Sequence, residues 1–340
     1  MDKTIIRIND VKVWFPRTKG FPKRIVGYVK AVDGVSFDIY RGETVGIVGE
    51  SGCGKTTLGK AIMLLENITD GSVSYNIGGE YRNIQSFNRK ELFLFRKRIQ
   101  MIFQDPYSAL NPMKKIYTAL EEPLLIHGVK NKSEREKIME EVLKSVNIPI
   151  DYIYKYPHEF SGGQRQRLCI ARVLQVRPEV IVCDEIVSAL DVSIQAQVLN
   201  LMKRIQRERL LTYVFIAHDL SVVQYMSDRI AVMYLGSIVE LADTKELCSH
   251  ILHPYTESLF SAIPIPVLGR KKNRIILKGD VPSPITKPSG CAFHERCAHC
   301  MEICKKTAPT LSPYKDSSHL VACHLYDTDV QKEKNNGIRQ

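Results

Sequence analysis

Short unbroken apolar runs alternate along the chain with longer mixed stretches. The runs "ETVGIVG" from Glu43, "VIVC" from Val180 and "YVFIAH" from Tyr213 carry almost no polar interruption. Runs of this length predict strands buried on both faces of a parallel sheet. The mixed stretches read as helices. "KTTLGKAIMLL" opens at Lys55, and "RQRLCIARVLQV" follows a Ser-Gly-Gly-Gln turn. In "KSEREKIMEEVLKSVNI", Ile138, Val142 and Val146 recur every four residues on one face. Ser133 is expected as the N-cap of that helix, with Glu136 three residues on completing a capping box. In "VKVWFP", strand alternation points Trp14 and Phe15 in opposite directions.

With 340 residues and 44% hydrophobic content, the chain can bury a real core, and the length suggests two domains. "RIAVMYLGSIVELA" is too short and too interrupted to span a bilayer, and no other run comes nearer. The start, "MDKTIIRIND", is charged throughout and lacks the apolar stretch of a signal peptide, so a cytosolic protein with reduced thiols is expected. A net charge of +11 suits nucleic acid, anionic lipid or a phosphorylated ligand. No nucleic-acid-binding module is visible, and "PRTKGFPKR" and "FRKRIQ" read as solvated hairpin and helix surface. The tail from residue 326 has almost no apolar content and is expected to be disordered.

The stretch "GESGCGKTT" sits between a predicted strand and a predicted helix, the context a phosphate-binding loop requires. Gly49, Gly52 and Gly54 let successive N–H groups turn toward phosphate oxygens, with Glu50, Ser51, Cys53 and Thr57 completing the loop. Lys55 can reach the β- and γ-phosphates of ATP, and the Thr56 hydroxyl can ligand Mg²⁺. A second ligand, this one a carboxylate, is expected at the end of the next apolar strand, where Asp184 can hold Mg²⁺ and Glu185 can polarise the attacking water. His218 ends a third apolar strand, where a parallel sheet binds its ligands, and is read as a γ-phosphate contact.

"FSGGQRQRLCIAR", from Phe160 to Arg172, resembles the signature motif of ABC-type ATPases. The order P-loop, "FQDP", signature, "CDE", "SALD" and "AHD" fits the same family from residue 4 to about 325. The resemblance implies an α/β P-loop fold of ABC type: a mixed-sheet core with antiparallel and helical subdomains, and a small C-terminal cysteine-rich domain. The ATPase unit is expected over 1–245, with its helical subdomain at about 105–172, and the C-terminal domain over 246–325. It further implies that Phe15 stacks on adenine and that Gln104 senses Mg²⁺ and a transmembrane partner. Ser161, Gly162, Gly163 and Gln164 would contact the γ-phosphate held by another subunit, and Asp191 would bridge that dimer interface. Elementary physics agrees with such a sandwich, because "SGGQ" precedes a helix and makes a second anion site at a helix N-terminus.

"FQDPYSALNP", "VSALDVSIQAQVLNL", "HPYT", "LKGDVPSP" and "GCAFHERC" look like the peptide and nickel importer branch of the family. That branch implies a second, homologous ATPase in a heterodimer, two transmembrane permeases, a solute-binding protein outside the membrane, and a peripheral position on its cytoplasmic face. "FSGGQRQR" and "VSALDVS" resemble the second ATPase of the pair. The implied cargo is short peptides, with nickel or a sugar as alternatives. A non-transport relative would carry two cassettes or a long coiled-coil insertion, and each motif occurs once here. Ile186 departs from the proline usual after the catalytic Glu.

Five of the nine cysteines fall late in the chain, four of them within "GCAFHERCAHCMEIC". In a reducing compartment such a cluster points to a metal rather than to disulfides. The spacing of Cys291, Cys297, Cys304 and Cys323 resembles the pattern that holds a [4Fe–4S] cluster in this importer branch. Zinc is the alternative, since Cys300 adds a Cys-x-x-Cys pair and His294, His299 and His324 lie nearby. The segment has few apolar residues, so a metal centre is expected to supply much of its folding energy.

Overall fold

The computed structural model describes residues 3–21, 24–262, 275–277, 279–315 and 317–327. Residues 328–340, most of the tail expected to be disordered, lie outside them.

The chain opens with two long strands, β1 (Thr4–Lys19) and β2 (Arg24–Tyr40), which pair antiparallel. The fully buried β3 (Thr44–Val48) follows and leads through a glycine-rich loop into α1 (Lys55–Ile62). Next come β4 (Asp70–Ile77), β5 (Glu80–Asn83), α2 (Arg89–Arg98) and β6 (Ile99–Ile102). Four helices then gather together: α3 (Pro106–Ala109), α4 (Ile116–Ile126), α5 (Lys132–Ser145) and α6 (Gly162–Leu174). The chain returns to the core with β7 (Val180–Asp184), α7 (Val192–Arg209), β8 (Thr212–Ile216), α8 (Leu220–Met226) and the hairpin β9 (Arg229–Tyr234) and β10 (Ser237–Asp243). Two helices, α9 (Thr244–Ser249) and α10 (Pro254–Ser261), precede the short α11 (Glu302–Lys306), β11 (Ser312–Pro313) and β12 (Leu320–Val321).

Two sheets result. β2-β1-β4-β5 is antiparallel, and β11-β12-β10-β9-β3-β8-β7-β6 is mixed. Within the latter, β9, β3, β8, β7 and β6 run parallel. β3, β7 and β8 are buried at every position because both faces of the parallel sheet are covered. One face packs Ile181, Cys183 and Phe215 against Leu168, Val198 and Met202 from α6 and α7. The other packs Val45, Ile47 and Val182 against Ile6, Val13 and Val35 of the antiparallel sheet.

Three local expectations shift. Asn131, not Ser133, caps α5: its side chain accepts from the N–H groups of Ser133 and Glu134. The helix therefore starts two residues early, Ser133 is already helical, and no capping box forms with Glu136. The strand before His218 ends at Ile216, so the histidine stands in the following loop. The helix after the phosphate loop stops at Ile62, where Leu64 turns left-handed at φ 54°.

The segment after residue 246 does not stand alone. β12 pairs with β10 and β11 with β12, so the central sheet continues into it. His319 and Glu240 meet at 2.8 Å across that junction, both fully buried. The described part of this segment is thus joined to the central sheet through β12 and β11.

Candidate functional site

Four chain positions that carry the candidate chemistry leave the C-terminal ends of adjacent parallel strands. The glycine-rich loop follows β3, Gln104 follows β6, Glu185 follows β7, and His218 follows β8. In open α/β sheets that edge is where ligands bind.

Gly49 and Gly54 adopt φ values of 154° and 105°. A side chain at Gly49 would place Cβ 2.2 Å from the Met233 carbonyl, and one at Gly54 2.0 Å from the Ala31 carbonyl. Only glycine lets the loop pack this closely on the backbones of β9 and β2 while taking the left-handed turns that point its N–H groups toward a phosphate. Lys55 is buried, and its ammonium donates to the Gly49 and Glu50 carbonyls at 2.9 and 3.1 Å. The Cys53 thiol is buried beside it, and burial pushes that thiol up, so it packs rather than reacts.

The Thr56 hydroxyl donates to Asp184 Oδ1 at 2.8 Å. Burial raises the Asp184 carboxyl above its ordinary range. A hydroxyl and a buried carboxylate at one point are hard oxygen donors suited to Mg²⁺, so these residues fit the ion the sequence implies. Glu185 lies one residue on, in the left-handed region at φ 50°. That turn aims its carboxylate at two partners. Gln104 Nε2 donates to Glu185 Oε2 at 2.7 Å, and His218 Nδ1 lies 3.4 Å from the same oxygen. Gln104, Glu185 and His218, 114 residues apart in sequence from first to last, form one polar cluster beside the Thr56–Asp184 pair.

The two aromatic neighbours on β1 separate as alternation demands. Trp14 donates through Nε1 to Asp33 Oδ1 at 3.2 Å and lies under the Lys30 ammonium at 4.6 Å. Phe15 is exposed. Of the two, Phe15 is the more exposed ring.

Ser161 caps α6: its hydroxyl accepts from the Gln164 N–H, and the Gln164 side chain accepts in turn from the Ser161 N–H. This is a capping box, so the Gln164 amide oxygen is already in use. Gly163 has a packing role that motif reading did not reveal. A Cβ there would stand 2.3 Å from Ile194 Cγ2 on α7, so glycine sets how closely the two helices approach. Asp191 caps α7, accepting from the Ile194 N–H at 3.0 Å, and this bond holds its carboxyl below the usual range. Ile186 is buried and keeps an apolar contact where the family has proline.

Glu50 differs most from its expected part. Its N–H donates to the Tyr255 hydroxyl at 2.9 Å, and its carboxylate is gripped by Arg296 at 2.8 and 3.1 Å. Neither partner was identifiable from local sequence, since Arg296 lies 246 residues away.

The late cysteines require a correction. No group of three or more His, Cys, Asp or Glu able to hold a metal ion exists among the described residues, so neither the [4Fe–4S] cluster nor zinc has a site here. Cys291, Cys297, Cys304 and Cys323 do adjoin one gap, but its volume is about 10 Å³, roughly that of a single water. Burial pushes the thiols of Cys291 and Cys323 up to about 11 and about 12. The Cys300 thiol faces the Met301 carbonyl at 3.6 Å and does not line that gap. The segment holds together by other means. Phe293, fully buried, packs against Tyr234 and Tyr255 with ring centroids 5.3 and 5.4 Å apart. His324 bridges the Thr307 carbonyl and Asp327, and the Cys291 N–H donates to the Cys304 carbonyl at 2.7 Å. The apolar content missing from the segment itself is supplied by the core it sits on.

Comparison with known proteins matches this geometry. Residues 32–188 fit the model of the ABC transporter family, and residues 239–304 that of the oligopeptide/dipeptide transporter C-terminal region. The oligopeptide transport ATP-binding protein AppF of Bacillus subtilis is 49% identical over 328 residues, covering 95% of this chain and 98% of that protein. The dipeptide transport ATP-binding protein DppF of Escherichia coli is 42% identical over 336 residues, covering 98% of each. Among solved structures, the ATP-binding cassette MJ0796, captured as a dimer with ADP and Pi, superposes with a TM-score of 0.60 at 27% identity, covering 70% of this chain and 98% of that one. Among the described residues no helix is long and apolar enough to cross a membrane. With its P-loop, its paired carboxylates and the C-terminal region that follows them, the chain belongs to the ABC transporter family and hydrolyses ATP.

Proposed function

We propose that this chain is the ATP-hydrolysing subunit of a peptide importer, working as half of an ATPase pair beneath two transmembrane permeases. The carrying observation is that the chain holds two anion-binding helix N-termini in different layers. α1, after the P-loop, packs on β1, β2, β7 and β8, whereas α6, capped by Ser161, packs on α3, α4, α5, α7 and β6. One ATP held by the P-loop would meet the Ser161 end of a partner ATPase, head to tail. The described relatives, named for oligopeptide and dipeptide transport, support peptides as the cargo.

In this reading Phe15 stacks on adenine, and the loop from Gly49 to Thr57 cradles the phosphates with Lys55. Thr56 and Asp184 would hold Mg²⁺, with Gln104 in reach. That ion supplies charge neutralisation on the phosphates. Glu185 takes the proton of the attacking water, and Gln104 and His218 keep its carboxylate aimed. Ser161, Gly162, Gly163 and Gln164 serve the partner's nucleotide, and Asp191 lies at the shared interface. The partner is a second homologous ATPase, and the assembly sits on the cytoplasmic face, fed by a solute-binding protein.

Expression of the chain with its candidate partners, followed by copurification, tests the assembly. Two permeases and one homologous ATPase in the complex, with ATPase activity stimulated by peptide presented through the binding protein, are expected. A complex without membrane subunits, or stimulation by a non-peptide solute alone, would overturn the reading.

A further inference from the structure

The P-loop is gripped from outside by the C-terminal segment. Arg296 ends a 3₁₀ turn, His294–Arg296, that is pinned by the buried ring of Phe293. Its side chain is 8% exposed and closes on Glu50 in a bidentate pair, both oxygens engaged at 2.8 and 3.1 Å. Arg296 also donates to the Tyr234 hydroxyl at 3.4 Å, which fixes the plane of the guanidinium. From α10, the Tyr255 hydroxyl accepts the Glu50 N–H. One residue of the loop is thus held by backbone and by side chain, and both holds come from beyond residue 250.

Glu50 is an awkward residue for a phosphate cradle. Its carboxylate is only 27% exposed, and it stands beside the carbonyl that receives the Lys55 ammonium. A polyphosphate entering the loop would meet that negative charge, and Lys55 alone would face both. A bidentate guanidinium removes the conflict: it neutralises the carboxylate and fixes it away from the cradle.

We propose that Arg296, assisted by Tyr255, is a positioning residue for ATP: it neutralises and withdraws the Glu50 carboxylate so that the P-loop accepts the triphosphate. The C-terminal segment is then part of the nucleotide site, acting through Glu50 without touching the nucleotide.

The ATP dependence of hydrolysis by the assembled full-length transporter, measured for Arg296→Gln, Glu50→Gln and the double variant, tests this. Arg296→Gln is expected to raise the KM for ATP about tenfold with little change in kcat, a shift within the usual range for coupled sites. Glu50→Gln with Arg296→Gln is expected to bring KM back to within about threefold of the parent, because the charge Arg296 opposed is gone. A parental KM in Arg296→Gln, or a double variant no better than Arg296→Gln, would overturn the proposal and leave Arg296 a packing residue. Should Arg296→Gln fail to accumulate, the double variant decides: recovery of folded protein and ATP affinity supports the charge role, and failure of both rejects it.

Discussion

Gln104 donates its side-chain amide to Glu185 at 2.7 Å, so residues that leave two neighbouring strands share one carboxylate oxygen, with His218 Nδ1 at 3.4 Å from the same atom. Two neighbours on one oxygen fix where the carboxylate points. Glu185→Gln should keep Mg-ATP binding and lower hydrolysis at this P-loop by about 10² to 10⁴, the range for a lost general base. Lys55→Ala should instead weaken nucleotide binding, since it removes a cradle cation. Nucleotide affinity and single-site turnover in the assembled transporter separate the two. Near-parental turnover in Glu185→Gln with the partner ATPase disabled would refute the assignment.

Ser161 offers a cross-site test. Ser161→Arg should impair hydrolysis at the partner's P-loop more than at its own, while costing about 1 kcal/mol of local stability through the lost cap. Nucleotide trapping at each site in turn reads this out. Equal loss at both sites, with closure of the pair unchanged, counts against the head-to-tail arrangement.

Gly163 should be intolerant for a reason unrelated to nucleotide. Its Cβ position lies 2.3 Å from Ile194 Cγ2, so Gly163→Ala overpacks the α6–α7 contact and should cost roughly 1–3 kcal/mol. A drop of several degrees in the melting temperature of the nucleotide-free chain is expected. Ile194→Ala in the same chain should recover most of it, and a melting temperature unchanged by Gly163→Ala would show that the helices separate freely.

His253 should make the C-terminal segment acid-sensitive. Burial lowers its pKa from 6.5 to about 4, and Nδ1 accepts the Tyr255 N–H at 3.0 Å as the cap of α10. A base with a depressed folded-state pKa contributes stability that is present above its unfolded pKa. That stability is lost as pH falls from about 6.5 toward 4, in all roughly 3 kcal/mol. His253→Asn keeps an acceptor at the cap and cannot titrate, so its denaturation midpoint should vary less over that window. Parallel pH profiles for parent and variant would show that another group dominates.

Much of the site was legible because its chemistry is tied to contiguous spacing. Gly49 to Thr57 must follow a strand and open a helix, and apolar "VIVC" ending in two carboxylates reads as a buried strand that delivers Asp184 and Glu185 to the sheet edge. Local rules were less exact at boundaries. The α5 cap fell on Asn131 because several adjacent residues could cap, and the choice depends on where the helix packs.

Sequence by itself determined the P-loop and the order of the motifs, whose spacing is local, and through the resemblance those motifs carry it implied the ABC-type fold. Only the tertiary structure decided the rest. Sequence could count cysteines but not the space between them, and the gap beside Cys291, Cys297, Cys304 and Cys323 is about 10 Å³. It could report few apolar residues near Phe293 but not that Tyr234 and Tyr255 come to cover that ring. The grip of Arg296 on Glu50 spans 246 residues, and Gly163 meets Ile194 from another helix. Contacts of this kind depend on how the sheet stacks its layers, and the order of residues in a short window carries no record of that.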